Sequence, residues 1–129
     1  MYSIGIDVSK SSLNTHIPKN SLDLKIDNNL KILKSLYSKL KKIYKKEIDK
    51  LTFVYEPTGS YPALLYRFCA EKKIKVFMIN SKQSRNFAKA IAKRTKSNKI
   101  DAKVLSHAIV IAKESEIAIP SIIILLKKR

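Results

Sequence analysis

The sequence has one cysteine, two glycines and ten acidic residues among 129. One cysteine excludes an intrachain disulfide, and Cys69 lies in the apolar segment LLYRFCAEK, where we expect a buried, inert thiol. Two glycines are too few for a glycine-rich phosphate loop. The longest apolar run, residues 117–126, is ten residues long and contains Pro120. A transmembrane helix needs about 20 apolar residues, so this run does not predict one.

The shortage of acids contrasts with 27 lysines and arginines, which give a net charge of +17. Basic side chains bind polyphosphate backbones by releasing condensed counterions, so this imbalance favours a nucleic-acid partner over an anionic membrane surface. The alternative is that the excess of basic residues serves solubility or reflects a lysine-favouring genome. Asp7 and Lys10 interrupt the N-terminus before a secretory signal could form, and we expect a cytoplasmic protein, bacterial or archaeal and associated with the nucleoid.

The hydrophobic pattern predicts a single mixed α/β domain. An antiparallel meander of three strands is expected first, then an amphipathic helix that starts after residues 27–29, and then alternating strands and helices. The predicted strands cover residues 2–8, 11–17, 21–26, 51–55 and 74–79, and the later helices cover residues 62–72, 82–93 and about 99–113.

Three acids stand at junctions between the predicted elements: Asp7 in SIGIDVSK, Glu56 in FVYEPTGSY and Asp101 in KSNKIDAKVL. Carboxylates that converge from separate elements suit a hard divalent cation such as Mg²⁺. Each also has a structural alternative. Asp7 could cap a turn, Glu56 could be a surface acid paired with a lysine, and Asp101 could complete a capping box with Asn98.

A basic stripe precedes and surrounds the third acid. Its members fall on one face of the helix predicted at 82–93 and continue beyond it: Lys82, Arg85, Lys89, Lys93, Arg94, Lys96, Lys99 and Lys103. We expect this stripe to contact a nucleic-acid backbone without reading sequence, although a solvated helix face is the alternative. The opposite face is expected to place Phe87, Ala90 and Ile91 in the core.

The segments SIGIDVSK, EPTGSY and KSNKIDAKVLSHA resemble, in that order, the N-terminal domain of the DEDD transposases. These are insertion-sequence recombinases related to the Piv-type DNA invertases. The resemblance covers residues 2 to about 113 and implies a ribonuclease H-like fold similar to the Holliday-junction resolvase RuvC. We place this domain at residues 1–114, and we interpret 115–129 as an apolar and basic tail that starts a linker to a missing serine-containing domain.

The resemblance also implies a site and partners. It assigns Asp7, Glu56 and Asp101 as ligands of Mg²⁺, in a two-ion site in the complete enzyme. Position 98, where the family has a further acid, carries Asn98. We count Asn98 with the three acids as a catalytic position, because an amide carbonyl can still ligate Mg²⁺, although it supplies no charge. DNA, a structured guide RNA and further copies of the same chain are the implied partners.

The leading hypothesis is Mg²⁺-dependent cleavage and transfer of DNA strands. Two other functions are the alternatives. A non-catalytic nucleic-acid-binding remnant of a transposase is favoured by Asn98 and the missing second domain. A fragment of a sugar kinase or actin-like ATPase would share GID at the end of its first strand. That fold has a glycine-rich turn around phosphates where this sequence has two serines and Lys10, which counts against this alternative.

Overall fold

The computed structural model describes residues 2–57, 61–95 and 101–121, with the backbone alone for residues 92–95. Within these ranges six strands and four α-helices form one α/β unit. The strands are β1 (Tyr2–Val8), β2 (Ser12–Ile17), β3 (Leu22–Asp27), β4 (Leu51–Tyr55), β5 (Lys75–Met78) and β6 (Ile117–Ala118). The α-helices are α1 (Leu30–Tyr44), α2 (Ala63–Lys72), α3 (Ser81–Thr95) and α4 (Ala102–His107).

The strands form one mixed sheet in the order β3-β2-β1-β4-β5-β6. Strands β1, β2 and β3 make the predicted antiparallel meander, whereas β4 and β5 join β1 in parallel. The short β6 closes the far edge and runs antiparallel to β5. A meander followed by parallel strands with crossover helices confirms the mixed α/β fold that the hydrophobic pattern predicts and the ribonuclease H-like fold that the resemblance implies.

Helices cover both faces of the sheet, and alternation along β1 decides which residue meets which layer. Ile4 and Ile6 point into the larger core with α1 and α2, and both are fully buried. Gly5 lies between them on the opposite face, where α4 packs. The smaller core on that face contains Val54 of β4 and Leu105 of α4.

Most predicted elements are present, with two informative differences. Asn29 caps α1 by accepting a hydrogen bond from the backbone N–H of Ile32, as the Asp-Asn-Asn signal predicts. The helix predicted at about 99–113 is shorter, because α4 begins after Asp101 and passes into a 3₁₀ helix at Ala108–Ile111. Ala90 of α3 is exposed, so its assignment to the core was wrong.

Two further expectations concern burial and membranes. Cys69 is buried, as predicted, and burial raises the pKa of its thiol. Across the described part of the chain, no helix has the length and apolar character needed to cross a bilayer.

Candidate functional site

The site depends on how closely α4 lies against β1. A Cβ atom at Gly5 would stand 1.8 Å from the backbone oxygen of Ala102 and 2.5 Å from the backbone nitrogen of Ser106. Only a residue without a side chain allows this approach. On the same side, the Ser3 hydroxyl donates a 2.6 Å hydrogen bond to the backbone oxygen of Ser106. Gly5 therefore lets the start of α4 lie against strand β1, and Ser3 holds the end of the helix on the same strand.

This docking brings two of the three predicted acids to one place. Asp7 is half-buried near the end of β1, two residues beyond Gly5 and on the same face. Asp101 immediately precedes α4 and caps it, since its Oδ1 accepts a 2.9 Å hydrogen bond from the backbone N–H of Val104. Both acids line one cleft of about 310 Å³. Asn98, the cap of the alternative capping box, lies outside the described residues, and Asp101 itself caps α4.

Glu56 lies at the same end of the sheet. Gly5 pairs with Val54 in the parallel β1–β4 register, and two further residues along each strand bring Asp7 level with Glu56. Val54 faces the α4 side, and Glu56, just beyond the end of β4, is half-buried. Among the described residues, however, those that line the cleft with Asp7 and Asp101 do not include Glu56.

Two polar residues in the cleft were not anticipated from the sequence. Asn14 pairs with Asp7 across the β1–β2 ladder, and Asp23 of β3 accepts a 2.7 Å hydrogen bond from Nδ1 of His16. The period-two pattern of the meander was the signal for both, because residues that alternate with a buried face share the other face. Asp23 adds a further carboxylate to this region, and its side chain is 73% exposed to solvent.

The donor set suits Mg²⁺ chemically, because carboxylate and amide oxygens are its preferred protein ligands. Nevertheless, no group of three or more acidic, histidine or cysteine side chains within residues 2–57, 61–91 and 101–121 stands close enough to hold a metal ion. The structure thus brings Asp7 and Asp101 to a common cleft and places Glu56 at the neighbouring strand end.

Asn28 joins the loops that follow β1 and β4. Its side-chain Nδ2 donates to the backbone oxygens of Ser9, at 3.0 Å, and Tyr61, at 3.1 Å. Its backbone N–H donates to the oxygen of Ser11. Ser9 follows Asp7 by two residues, and Tyr61 closes the EPTGSY segment that begins at Glu56. Asn28 therefore ties together the segments that follow the first and second acids, a role with no evident signal in the sequence.

The predicted basic stripe is only partly described. Lys82, Arg85 and Lys89 are exposed on α3, and Lys103 lies on the rim of the cleft beside Asp101. The side chains of Lys93 and Arg94, and the whole of Lys96 and Lys99, lie outside the described residues.

The other face of α3 borders an apolar groove of about 600 Å³. Phe87 and Ile91, predicted as core, are half-buried along this groove, and Val110 on its far side is exposed. The two faces of α3 are thus of different character, one basic and one apolar.

Comparison with known proteins gives one assignment. No curated protein matched the chain. Residues 4–122 match the family model of the DEDD transposases of the IS110 type, described as "Transposase". The matched range contains every acid of the candidate site and all six strands of the sheet except the first two residues of β1. The chain belongs to the IS110-type DEDD transposase family.

Proposed function

We propose that this domain carries the acidic half of a transposase active site, which cleaves and transfers DNA strands with Mg²⁺ bound by Asp7, Glu56 and Asp101. The observation that supports the proposal most is the common cleft of Asp7 and Asp101, which the docking of α4 on Gly5 creates. Two acids that lie 94 positions apart in the chain share it.

Each acid has a distinct part in the proposal. Asp7 and Glu56 project from adjacent parallel strand ends, which are rigid positions for ligands. Asp101 uses one carboxylate oxygen to cap α4, and its second oxygen is not part of that bond. The cap therefore orients the carboxylate while leaving it able to act as a ligand.

In strand transfer, one P–O bond forms at the attacking oxygen while the P–O bond to the leaving oxygen breaks. Asp7, Glu56 and Asp101 would hold Mg²⁺, which would supply a Lewis acid for the attacking hydroxyl and for the charge on the leaving oxygen. This chain's residues supply the ligands and, through exposed Lys103 at the rim, a positive charge for the DNA backbone. A structured guide RNA and further copies of the chain belong to the same proposal as partners.

The test is Mn²⁺ and Mg²⁺ binding by calorimetry to the variants Asp7→Asn, Glu56→Gln and Asp101→Asn. Each change removes one charge and keeps the shape of the side chain. Asn caps a helix as well as Asp does, so Asp101→Asn separates the capping role from the ligand role. We expect each variant to lose at least tenfold in metal affinity, whereas Asp49→Asn, an exposed acid remote from the cleft, should change nothing. Unchanged affinity in all three site variants would refute the metal assignment.

A second candidate function is a non-catalytic nucleic-acid-binding remnant. Asn98 favours it, because the charge that the family places at this position is missing. Here Asn98→Asp is the informative variant. If the domain is a weakened metal site, Asn98→Asp should raise Mg²⁺ affinity and bring Mg²⁺-dependent nicking of DNA. If neither the original chain nor Asn98→Asp binds Mg²⁺, while both bind DNA, the remnant is the correct function.

A further inference from the structure

Helix α1 carries an outward face that is basic along its whole length. The segment 30–46 contains seven lysines and no acid. All seven are exposed, while Leu33, Leu36 and Leu40 on the opposite side are buried in the larger core. The helix packs on the face of the sheet opposite to α4, so this basic face lies away from the acidic cleft.

The lysines cluster on one side of the helix. At 3.6 residues per turn, Lys31, Lys34, Lys39, Lys41 and Lys42 fall within an arc of about 160°, and Lys31 and Lys42 stand about 16 Å apart along the axis. A helix dipole favours cations only near the C-terminus, which accounts for Lys41 and Lys42. Lys31 and Lys34 lie near the N-terminus, where the dipole opposes them. Helix stability therefore does not explain the full set.

The aromatic ring of Tyr37 holds two ammonium groups at the edge of this face. Nζ of Lys41 lies 5.1 Å from the ring centroid, and Nζ of Lys72, from α2, lies 5.5 Å from it. Cation–π contact positions both charges over a single ring. Within the described residues, no lysine of α1 forms an ion pair, since the two ion pairs there are His16–Asp23 and Lys50–Glu47. The positive charge of this face is not neutralised by the fold.

We infer that these lysines form a second nucleic-acid surface, which binds the backbone of duplex DNA on the face of the sheet remote from the acidic cleft. We define the α1 surface as Lys31, Lys34, Lys41, Lys42 and Lys72. Lysine binds phosphate as a point charge, and phosphate contacts carry no sequence information, so the surface binds without sequence preference. A duplex presents one charge per about 1.7 Å of its axis, so its phosphates are dense enough to contact all five lysines of the α1 surface.

The exposed positions of α1 favour a duplex over a single strand. Single-strand binding depends on aromatic side chains on which bases stack. The exposed residues of α1 are lysines, serines and the edge of Leu30, and the ring of Tyr37 is already covered by two ammonium groups. Because strand transfer joins two DNA segments, a second surface on the opposite face would hold one segment while the cleft holds the other. This last role depends on the proposed function, whereas duplex binding by α1 does not.

The test compares two triple variants with the same net charge. One is Lys31→Gln/Lys34→Gln/Lys41→Gln, and its control is Lys25→Gln/Lys50→Gln/Lys75→Gln, which changes three exposed lysines outside α1. Binding to labelled duplex DNA is followed by fluorescence anisotropy at several salt concentrations, in EDTA. Circular dichroism checks that both variants keep their helices, which glutamine favours about as well as lysine does.

Each lost phosphate contact lowers the slope of log K against log salt by about 0.9 and costs at most about eightfold in affinity at 0.1 M salt. We expect the α1 variant to lose two to three such contacts, and the control to lose fewer than one. Equal loss on duplex DNA and duplex RNA also supports the surface, since lysine does not distinguish the sugars. Equal effects of the two variants, or a loss confined to single strands or to RNA, would overturn it. Because EDTA removes divalent metal, DNA binding in this assay does not depend on the proposed Mg²⁺ site. A failure of the α1 surface is therefore distinguishable from a failure of the metal site.

Discussion

Replacing Gly5 by alanine tests the contact from which the candidate site is built. The new Cβ would stand 1.8 Å from the oxygen of Ala102, against an ordinary separation of about 3.5 Å. Both nearest atoms, in Ala102 and Ser106, belong to the backbone of α4, so no side-chain rotation relieves the clash. The helix must move by about 1.5 Å or more, and Asp101 moves with it.

The energetic cost follows from two opposing terms. Overpacking of this kind costs about 1–3 kcal/mol, while alanine recovers about 0.4–1 kcal/mol by restricting the unfolded chain. Because the clash is with backbone atoms, the upper end of the overpacking range applies. We therefore expect a net loss of about 2 kcal/mol in the free energy of unfolding, measured by urea denaturation monitored by circular dichroism. For a chain of this size the midpoint of thermal unfolding should fall by about 6–10 °C. Mn²⁺ affinity should fall as well, because Asp7 and Asp101 no longer share one cleft.

Ser3→Ala is the matched control. It removes the hydrogen bond to the backbone oxygen of Ser106 without adding an atom, and it should cost about 1 kcal/mol while metal affinity is kept. If Gly5→Ala unfolds at the same urea concentration as the original chain and binds Mn²⁺ equally well, the docking of α4 does not create the site.

Three further predictions concern single groups. Asn28→Ala should lower the free energy of unfolding by about 1–2 kcal/mol and speed hydrogen exchange in the loops at Ser9 and Tyr61; unchanged exchange would contradict the tether. Tyr55→Phe should raise the free energy of unfolding by about 1 kcal/mol in urea titration, because its buried hydroxyl has no hydrogen-bond partner among the described residues; a loss of stability would contradict this. Glu116→Gln should reduce the loss in the free energy of unfolding as the pH falls into the acid range, measured by urea titration at several pH values. An unchanged pH dependence would contradict a stabilising role of the Glu116 carboxylate.

The contacts of Glu116 give the direction in which its titration changes stability with pH. The backbone N–H of Lys113 donates to the carboxylate, as does the amide of Gln83, and both hold its pKa below the usual range. A lowered folded pKa adds stability above the unfolded pKa, and this stability is lost as the pH falls through the folded pKa. The effect therefore belongs to pH values below about 4.5.

The sequence alone determined the element order as far as α4 and the residues at the strand ends, but it did not predict β6. Local rules sufficed for this, since the Asp-Asn-Asn signal fixed the start of α1 and period-two alternation fixed the meander. The same local rules placed Asp7 at the end of one strand and Glu56 at the end of another. They could not determine how far apart the two carboxylates stand.

The tertiary structure decided which residues meet. Gly5 looks in the sequence like any glycine in a strand, and its importance follows only from the backbone of α4 passing over it. The same holds for the polar residues around the site, whose contacts are made with other elements of the fold. These residues are Asn14, Asp23 and Asn28. Packing also left the lysines of α1 on the face away from the cleft. Periodicity assigns a residue to a face of its own element, but only the packing of elements decides what that face contacts.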